Sequence, residues 1–178
     1  MKTKFNYLII VFLFLIVSTP LHSQNANNKW TLAIDLASVP YLITGGGTIG
    51  SSLLNQSPRI SIAKYMFYNI TFVGSFSTAI GEKYTTFDGL VRYDFGTSQN
   101  SFVPYVFIGG SLINASSLTP TTNFGVGNTY WFSDKYGFNS QIMYKDSQVK
   151  FASQKSHFMT SVGFVYSFRS MQPRVWEN

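Results

Sequence analysis

His157 is the residue best suited to acid–base chemistry in the C-terminal part of this 178-residue chain. Asp146, Ser153 and Ser156 lie near it in sequence, and a serine, a histidine and a carboxylate together can perform acyl transfer. Their spacing does not select them as a catalytic set, because it matches no established motif. We favour the interpretation that His157 is a solvated histidine at the rim of the fold and not part of an active site. We predict no catalytic residue and no enzymatic activity.

Gly45, Gly47 and Gly50 have the spacing G-x-G-x-x-G that cradles a pyrophosphate in dinucleotide-binding proteins. That site also needs a preceding strand, a helix beginning at the third glycine and an acidic residue about 20 positions later. The next acidic residue here is Glu82, so we interpret the glycines as a flexible loop. The chain has no cysteine, which excludes thiolate zinc sites and thiol nucleophiles. We therefore predict neither a metal nor a cofactor.

Charged residues are scarce in this chain. They make up 11% of it, against roughly 25% in typical soluble proteins, while aromatic residues reach 17%. Despite the net charge of +6, this composition argues against a disordered chain and against a nucleic-acid partner. The charged residues that interrupt apolar segments are therefore the most informative ones. They are Asp35, Arg59, Asp88, Arg92, Asp94 and Lys145.

The N-terminus has the three-part pattern of a secretory signal peptide. Two lysines precede the apolar run Tyr7–Val17, and Pro20 and the small residue Ser23 follow it. The run is shorter than the ~20 residues that a membrane-spanning helix needs. We predict cleavage after Ser23, so that residues 1–23 are removed and the mature chain is exported. A retained signal anchor is the alternative.

The rest of the chain contains eight segments in which apolar and polar residues alternate with period two, which indicates strands with two unlike faces. Residues 102–111 are apolar on both faces, so their phase stays unassigned. An even strand number, with short and long connections in alternation, is typical of a closed outer-membrane barrel. The short connections are 66–69, 96–101 and 133–137, and the longer ones are 38–57, 78–86, 112–120 and 146–156.

The two faces of these segments decide between a membrane barrel and a soluble lipocalin-like barrel. An apolar face turned outward suits lipid, whereas a lipid-facing Arg or Lys at the midplane costs ~2–4 kcal/mol. A soluble barrel would expose far more apolar area than monomers tolerate. Aromatic residues near strand ends, such as Trp30, Tyr130 and Trp131, fit interfacial girdles. We predict an all-β fold, a closed eight-stranded antiparallel up-and-down transmembrane β-barrel over residues 24–168, with short periplasmic turns and longer extracellular loops.

The charged residues would then point into the lumen, which eight strands leave nearly filled by side chains. Because buried charges need partners, we expect them to form a structural network of salt bridges. Two interpretations stay open, namely interior filling without transport and a narrow, gated passage. We expect Asp35, Arg59, Asp88 and Lys145 in the outer half of the lumen, and Arg92 and Asp94 in the inner half.

Five stretches carry a resemblance to known proteins, namely 58–77, 88–96, 104–110, 123–139 and 161–168. They resemble the N-terminal barrel of the OmpA family of outer-membrane proteins and also the smaller OmpX-type barrels. The resemblance implies a location in the outer membrane of a Gram-negative cell envelope, contact with its lipid and insertion by the barrel assembly machinery. Phe164, Tyr166 and Phe168 resemble the C-terminal aromatic signal that this machinery recognises. We also expect the barrel to be a monomer.

Residues 169–178 form a predicted short periplasmic tail that cannot make the peptidoglycan-binding domain of the OmpA family, so cell-wall attachment is not carried over. The first functional hypothesis is a non-enzymatic structural barrel that supports envelope integrity or surface interaction through its extracellular loops, whose partner is unknown. The second is a small porin-like pore of low conductance for ions or solutes. The third is a lipid-modifying enzyme at the rim, which would use His157.

Overall fold

A computed structural model describes residues 30–42, 48–49, 57–80, 83–96, 101–115, 118–147 and 156–168. The predicted signal peptide 1–23, the glycines of 45–50 and the predicted tail 169–178 lie outside these ranges. Within them, no helix is long and apolar enough to cross a membrane.

Antiparallel strands make up most of the described chain, and apart from the two-residue strand β2 each strand pairs with the next one in sequence. They are β1 (Trp30–Leu42), β2 (Thr48–Ile49), β3 (Ser57–Phe67), β4 (Ile70–Thr78), β5 (Thr85–Asp94), β6 (Phe102–Asn114), β7 (Leu118–Trp131), β8 (Tyr136–Ser147) and β9 (His157–Phe168).

The sheet closes between its first and last long strands. Trp30 of β1 pairs with Phe168 of β9, and this ladder continues to the pair Ser38–Thr160. The predicted closed eight-stranded antiparallel barrel is therefore confirmed, with β1 and β3–β9 as its wall. The two-residue strand β2 was not predicted. It pairs with the end of β1 beyond Ser38, where the backbone has left its β9 partner and needs other hydrogen bonds.

The alternation turns most large apolar side chains outward, and the inward positions hold mainly small or polar side chains together with some buried apolar ones, such as Tyr105, Phe107 and Met143. Ile34, Ile108 and Phe164 have exposed fractions of 62%, 61% and 66%, although they are among the most apolar residues of the chain. Every strand that could be phased from the sequence has this orientation in the structure. A closed sheet leaves no unpaired edge, which is what a wall surrounded by lipid requires.

We distinguish a turn end and a loop end of the barrel. In sequence, the wall strands that meet at the turn end are separated by residues 68–69, 95–101 and 132–135, and those that meet at the loop end by residues 43–56, which include β2, and by 79–84, 115–117 and 148–156. In the first turn, Tyr68 and Asn69 have φ angles of 44° and 65°, as a two-residue hairpin turn needs.

One predicted connection is wrong in length. Residues 112–120 were predicted to be a longer loop, but β6 and β7 stay paired up to Asn114 and Leu118. The inward side chains of Ile113 and Thr119 are fully buried there, so the alternation continues through a stretch whose serine, threonine and proline content is typical of loops.

Candidate functional site

Four charged side chains meet in the lumen towards the loop end, and we call Asp35, Arg59, Asp88 and Lys145 the loop-end charge cluster. Asp35 and Arg59 face each other on paired strands β1 and β3, and Arg59 Nη1 donates to Asp35 Oδ2 at 3.2 Å. Arg59 Nε lies 3.7 Å from Asp88 Oδ2, and Lys145 Nζ lies 2.6 Å from Asp88 Oδ1. Two cations and two anions therefore form one continuous chain of ion pairs.

Asp88 is the centre of this chain of ion pairs, because the cations Arg59 and Lys145 and several neutral side chains all contact its carboxylate. Ser75 Oγ donates to Oδ2 at 2.8 Å, and Thr86 Oγ1 and Ser111 Oγ donate to Oδ1 at 2.8 and 2.5 Å. Lys145 Nζ also donates to Thr86 Oγ1 at 2.7 Å. Such dense hydrogen bonding is what a buried carboxylate and ammonium require.

Arg59 is held from the other side of the barrel as well. With its amide oxygen turned towards the guanidinium, Gln141 on β8 accepts from Arg59 Nη1 at 2.7 Å. Arg59 Nη2 donates to Ser75 Oγ at 2.9 Å. Asn123 extends the network by donating to Ser111. The cluster therefore links β1, β3, β4, β5, β6, β7 and β8 through side chains that cross the lumen.

The remaining two predicted interior charges form a separate pair near the turn end, which we call the turn-end charge pair. Arg92 Nε lies 2.9 Å from Asp94 Oδ1, and Thr71 Oγ1 donates to Asp94 Oδ2 at 2.8 Å. The Arg92 guanidinium lies 4.7 Å above the centre of the Tyr105 ring, which is cation–π distance. The structure thus brings the six sequence-predicted residues into two groups at two heights.

Aromatic side chains of β6 occupy the space between the two groups. Tyr105 and Phe107 are buried, and Tyr105 Oη donates to Asn139 Oδ1 at 2.7 Å. The rings fit because β7 has Gly127 and Gly125 opposite them, where an added Cβ would lie 2.5 Å from each ring. A cavity of about 30 Å³ remains among these side chains and both arginines, with room for about one or two water molecules.

Apolar side chains line the lumen at the two ends of the barrel. Val39, Ile113, Met143 and Met159 are almost fully buried at the loop end. At the turn end, Trp131 packs with Val103, Ala33 and Val165. Trp131 was expected in an outward aromatic girdle and that expectation is wrong. The residue is 3% exposed because it falls on the inward phase of β7 and packs inside the barrel at the turn end.

His157 does not have the solvated rim position expected of it. Its side chain points inward and is buried, and Nε2 hydrogen-bonds to Tyr84 Oη at 2.9 Å across the loop end. Ser156 Oγ instead donates directly to Asp146 Oδ1 at 2.8 Å. A catalytic triad places the imidazole between the hydroxyl and the carboxylate, so this arrangement differs from the acyl-transfer geometry. Ser153 lies outside the described residues.

The three aromatic residues of the predicted assembly signal lie on the outward face of β9. Phe164 and Tyr166 are exposed, and Phe168 stacks with Tyr166 at a ring distance of 6.0 Å. None of them contributes to the lumen. In the described part of the chain, no group of three or more histidine, aspartate or glutamate side chains is placed to hold a metal ion.

The interior network also contains three residues that the sequence did not indicate, Tyr84, Tyr105 and Ser111. Tyr105 and Ser111 lie in the segment whose phase stayed open. The glycines at 125 and 127 were the available signal, because small residues on a strand favour large inward neighbours on the next one.

No protein-family model and no curated protein matches the sequence. Solved structures do match its fold. The N-terminal β-barrel domain of Pseudomonas aeruginosa OprF is similar with a TM-score of 0.58 and 16% identity, over 78% of this chain and 97% of that one. The outer membrane protein OprG from Pseudomonas aeruginosa gives 0.59 and 12%, over 85% and 98%. Neisserial surface protein A gives 0.52 and 14%, over 78% and 96%.

The chain has the fold of the small outer-membrane barrels. The resemblance predicted from the sequence is confirmed for the fold, whereas identities this low carry no residue-level correspondence. The features that distinguish this outer-membrane-type barrel are therefore the ones seen in its own lumen and on its own wall.

Proposed function

We propose that the protein is a non-enzymatic structural barrel of the outer membrane, exported by a signal peptide that is cleaved after Ser23. It would insert as a monomer through the barrel assembly machinery, with the turn end in the periplasm and residues 169–178 as a short periplasmic tail. Phe164, Tyr166 and Phe168 would be the assembly signal. The loops at the opposite end would support envelope integrity or surface interaction.

The observation that carries this proposal is the occupied lumen. Asp88 binds Lys145 from β8 and Arg59 from β3, so ion pairs span the barrel interior at one height. Tyr105 and Phe107 are buried at the next level, and Trp131 is buried inside the barrel at the turn end. Because the interior charges pair with one another, they are not available to bind a passing solute. This arrangement supports a mechanical role of the barrel more than a role in transport.

Electrical recordings separate this role from that of a pore. We expect the purified barrel in planar bilayers to give no steady ion current. The variant Tyr105→Ala removes the ring between the two charge groups and serves as a positive control. It should give a measurable current, which shows that the recording detects an open lumen. A steady current through the unaltered protein would overturn the structural proposal.

A low-conductance pore is the second candidate, and the cavity of about 30 Å³ between the charge groups favours it. Water there would touch Arg59, Arg92 and Gln141, so a modest rearrangement of ion pairs would connect it to either end. In that case Arg92→Ala would raise the current without lowering the thermal stability of the barrel.

The two structural roles are separable in the cell. If the barrel supports envelope integrity, deleting its gene should increase uptake of a dye that the outer membrane normally excludes. A variant with residues 148–155 replaced by a glycine–serine linker should then restore the barrier less well than the unaltered protein, because the proposed role acts through the loops. Full restoration by that variant would show that this loop is not needed for integrity, and no change on deletion would contradict the integrity role.

A further inference from the structure

The outer wall of the barrel carries a groove of about 520 Å³ across β3, β4 and β5. Ile62, Phe72 and Val91 form its apolar sides, and Gly74 and Gly89 form its floor. These two glycines are direct cross-strand partners on the outward face. The groove therefore exists because two adjacent positions of a lipid-facing wall lack side chains.

Packing within the protein does not explain these glycines. A Cβ added to Gly89 would have no heavy atom within 4 Å, and one added to Gly74 would meet only Ile62 Cγ2, at 3.9 Å. Glycine inside a strand is unfavourable, and it often marks a place where another molecule approaches the backbone closely. By contrast, a Cβ on Gly163 would collide with the backbone of β1.

A cation lies at the turn-end side of the same groove. Lys64 faces outward beside Ile62, and its ammonium lies 5.1 Å from the centre of the Trp30 ring. In the described residues, no carboxylate forms an ion pair with Lys64. Gly74 pairs with Ile62, two residues from Lys64, which places the glycine floor about 7 Å farther along the strand, on the side away from the turn end.

We propose that this groove binds one glycerophospholipid of the periplasmic leaflet. An acyl chain would lie over Gly74 and Gly89, and the phosphate would lie at Lys64. The charges are complementary, because a phosphodiester is an anion and the groove presents a single cation at the height of the headgroups. Trp30 suits the same height, since indole rings prefer the membrane interface. The inference rests on the proposed membrane insertion but not on the role of the lumen.

Photo-crosslinking in vesicles tests the site on the folded full-length barrel. The probes are phosphatidylglycerol and diacylglycerol with the same diazirine-bearing acyl chain. We expect phosphatidylglycerol to label residues 62, 72 and 91 preferentially. Lys64→Gln should reduce that labelling about fivefold while leaving diacylglycerol labelling unchanged. Gly89→Leu should reduce labelling by both lipids, because it fills the floor.

Ser140→Leu is the matched control, because it fills a second outer groove, of about 650 Å³, that is also lined by Val126, Ile142 and Val162. It should leave labelling at 62, 72 and 91 unchanged. Gly89→Val, with a residue that favours strands, repeats the test if the leucine variant does not fold. Folding of each variant is checked by the mobility difference between boiled and unboiled samples.

Labelling spread evenly around the wall, or unchanged in both Gly89 variants, would overturn the proposal. So would selective retention of lipopolysaccharide at this groove, or crosslinked dimers that disappear in Gly89→Leu. A barrel that shows no mobility difference in vesicles would instead contradict membrane insertion, which is a failure of the proposed function.

Discussion

Lys145 and Asp88 form an ion pair of 2.6 Å across the barrel lumen, although their strands β8 and β5 are not neighbours in the sheet. Backbone ladders connect each strand only to the two beside it. This side-chain contact connects opposite parts of the wall, and Arg59 extends it to β3 and β1. The interior charges therefore brace the barrel across its diameter.

Asp88→Asn should destabilise the barrel strongly, because Lys145 and Arg59 would lose the carboxylate that they share. Breaking a buried ion pair from one side costs about 3–5 kcal/mol, which should be measurable as a lower urea midpoint in a gel-mobility assay. Lys135→Ala, in an exposed turn, is the control and should have no effect. An unchanged midpoint for Asp88→Asn would contradict the bracing role.

The double variant Asp88→Leu with Lys145→Met should recover most of the stability lost in Asp88→Asn. Removing both partners leaves no uncompensated charge at Lys145, and Arg59 keeps its pair with Asp35. The same urea titration measures the recovery. A double variant as unstable as the single one would show that the charges themselves are required.

Arg92→Ala should lower the melting temperature, because it removes both the ion pair with Asp94 and the contact with the Tyr105 ring. A loss of about 2 kcal/mol corresponds to a decrease of about 4–8 °C for a chain of this size. Bilayer recordings of the same variant should stay silent. A new current with an unchanged melting temperature would instead identify Arg92 as part of a gate.

Two glycine-to-alanine substitutions should have opposite outcomes. In Gly163→Ala, the new Cβ would lie 2.5 Å from Asp35 Cα, so the β1–β9 seam must shift and stability should fall. Gly89→Ala enters open space and should be neutral or stabilising by about 0.5–1 kcal/mol. Equal effects of the two substitutions in a urea titration would contradict the difference in packing between Gly163 and Gly89.

Tyr84→Phe should loosen the connection between β4 and β5, because the hydroxyl bonds His157 on the far side of the lumen. Amide exchange at Ala79, whose N–H donates to the Tyr84 carbonyl at 2.8 Å, should accelerate about two- to tenfold. Tyr68→Phe, at a residue that is 86% exposed, is the control. Unchanged exchange at Ala79 would mean that the Tyr84–His157 bond does not hold this connection.

The strands and their outward faces were predictable because lipid imposes a strict alternation on the wall. β6 was the exception, since Val103, Tyr105 and Phe107 are apolar and still point inward. Their inward position depends on the glycines of β7, which is a relationship between strands. A single segment does not contain that information.

The heights of the interior charges followed from counting along strands that run alternately up and down. The contacts between these charges could not be predicted in the same way, because Lys145 contacts Asp88 across the lumen and not between paired strands. The burial of His157 was missed for the same reason, since its partner Tyr84 lies 73 positions away in the chain. Contacts across the lumen depend on closure and shear of the sheet, which the sequence pattern does not fix.

The outward face of the barrel should be surrounded by lipid, and spin labels on that face can test this directly. Because the chain has no cysteine, single nitroxide labels can be attached to Ile34→Cys, Ile62→Cys and Asp134→Cys variants in vesicles. We expect the labels at 34 and 62 to collide with oxygen and to be shielded from a water-soluble nickel chelate, whereas the label at 134 contacts the chelate. Labels at 34 and 62 that are as accessible to the chelate as the label at 134 would contradict the account.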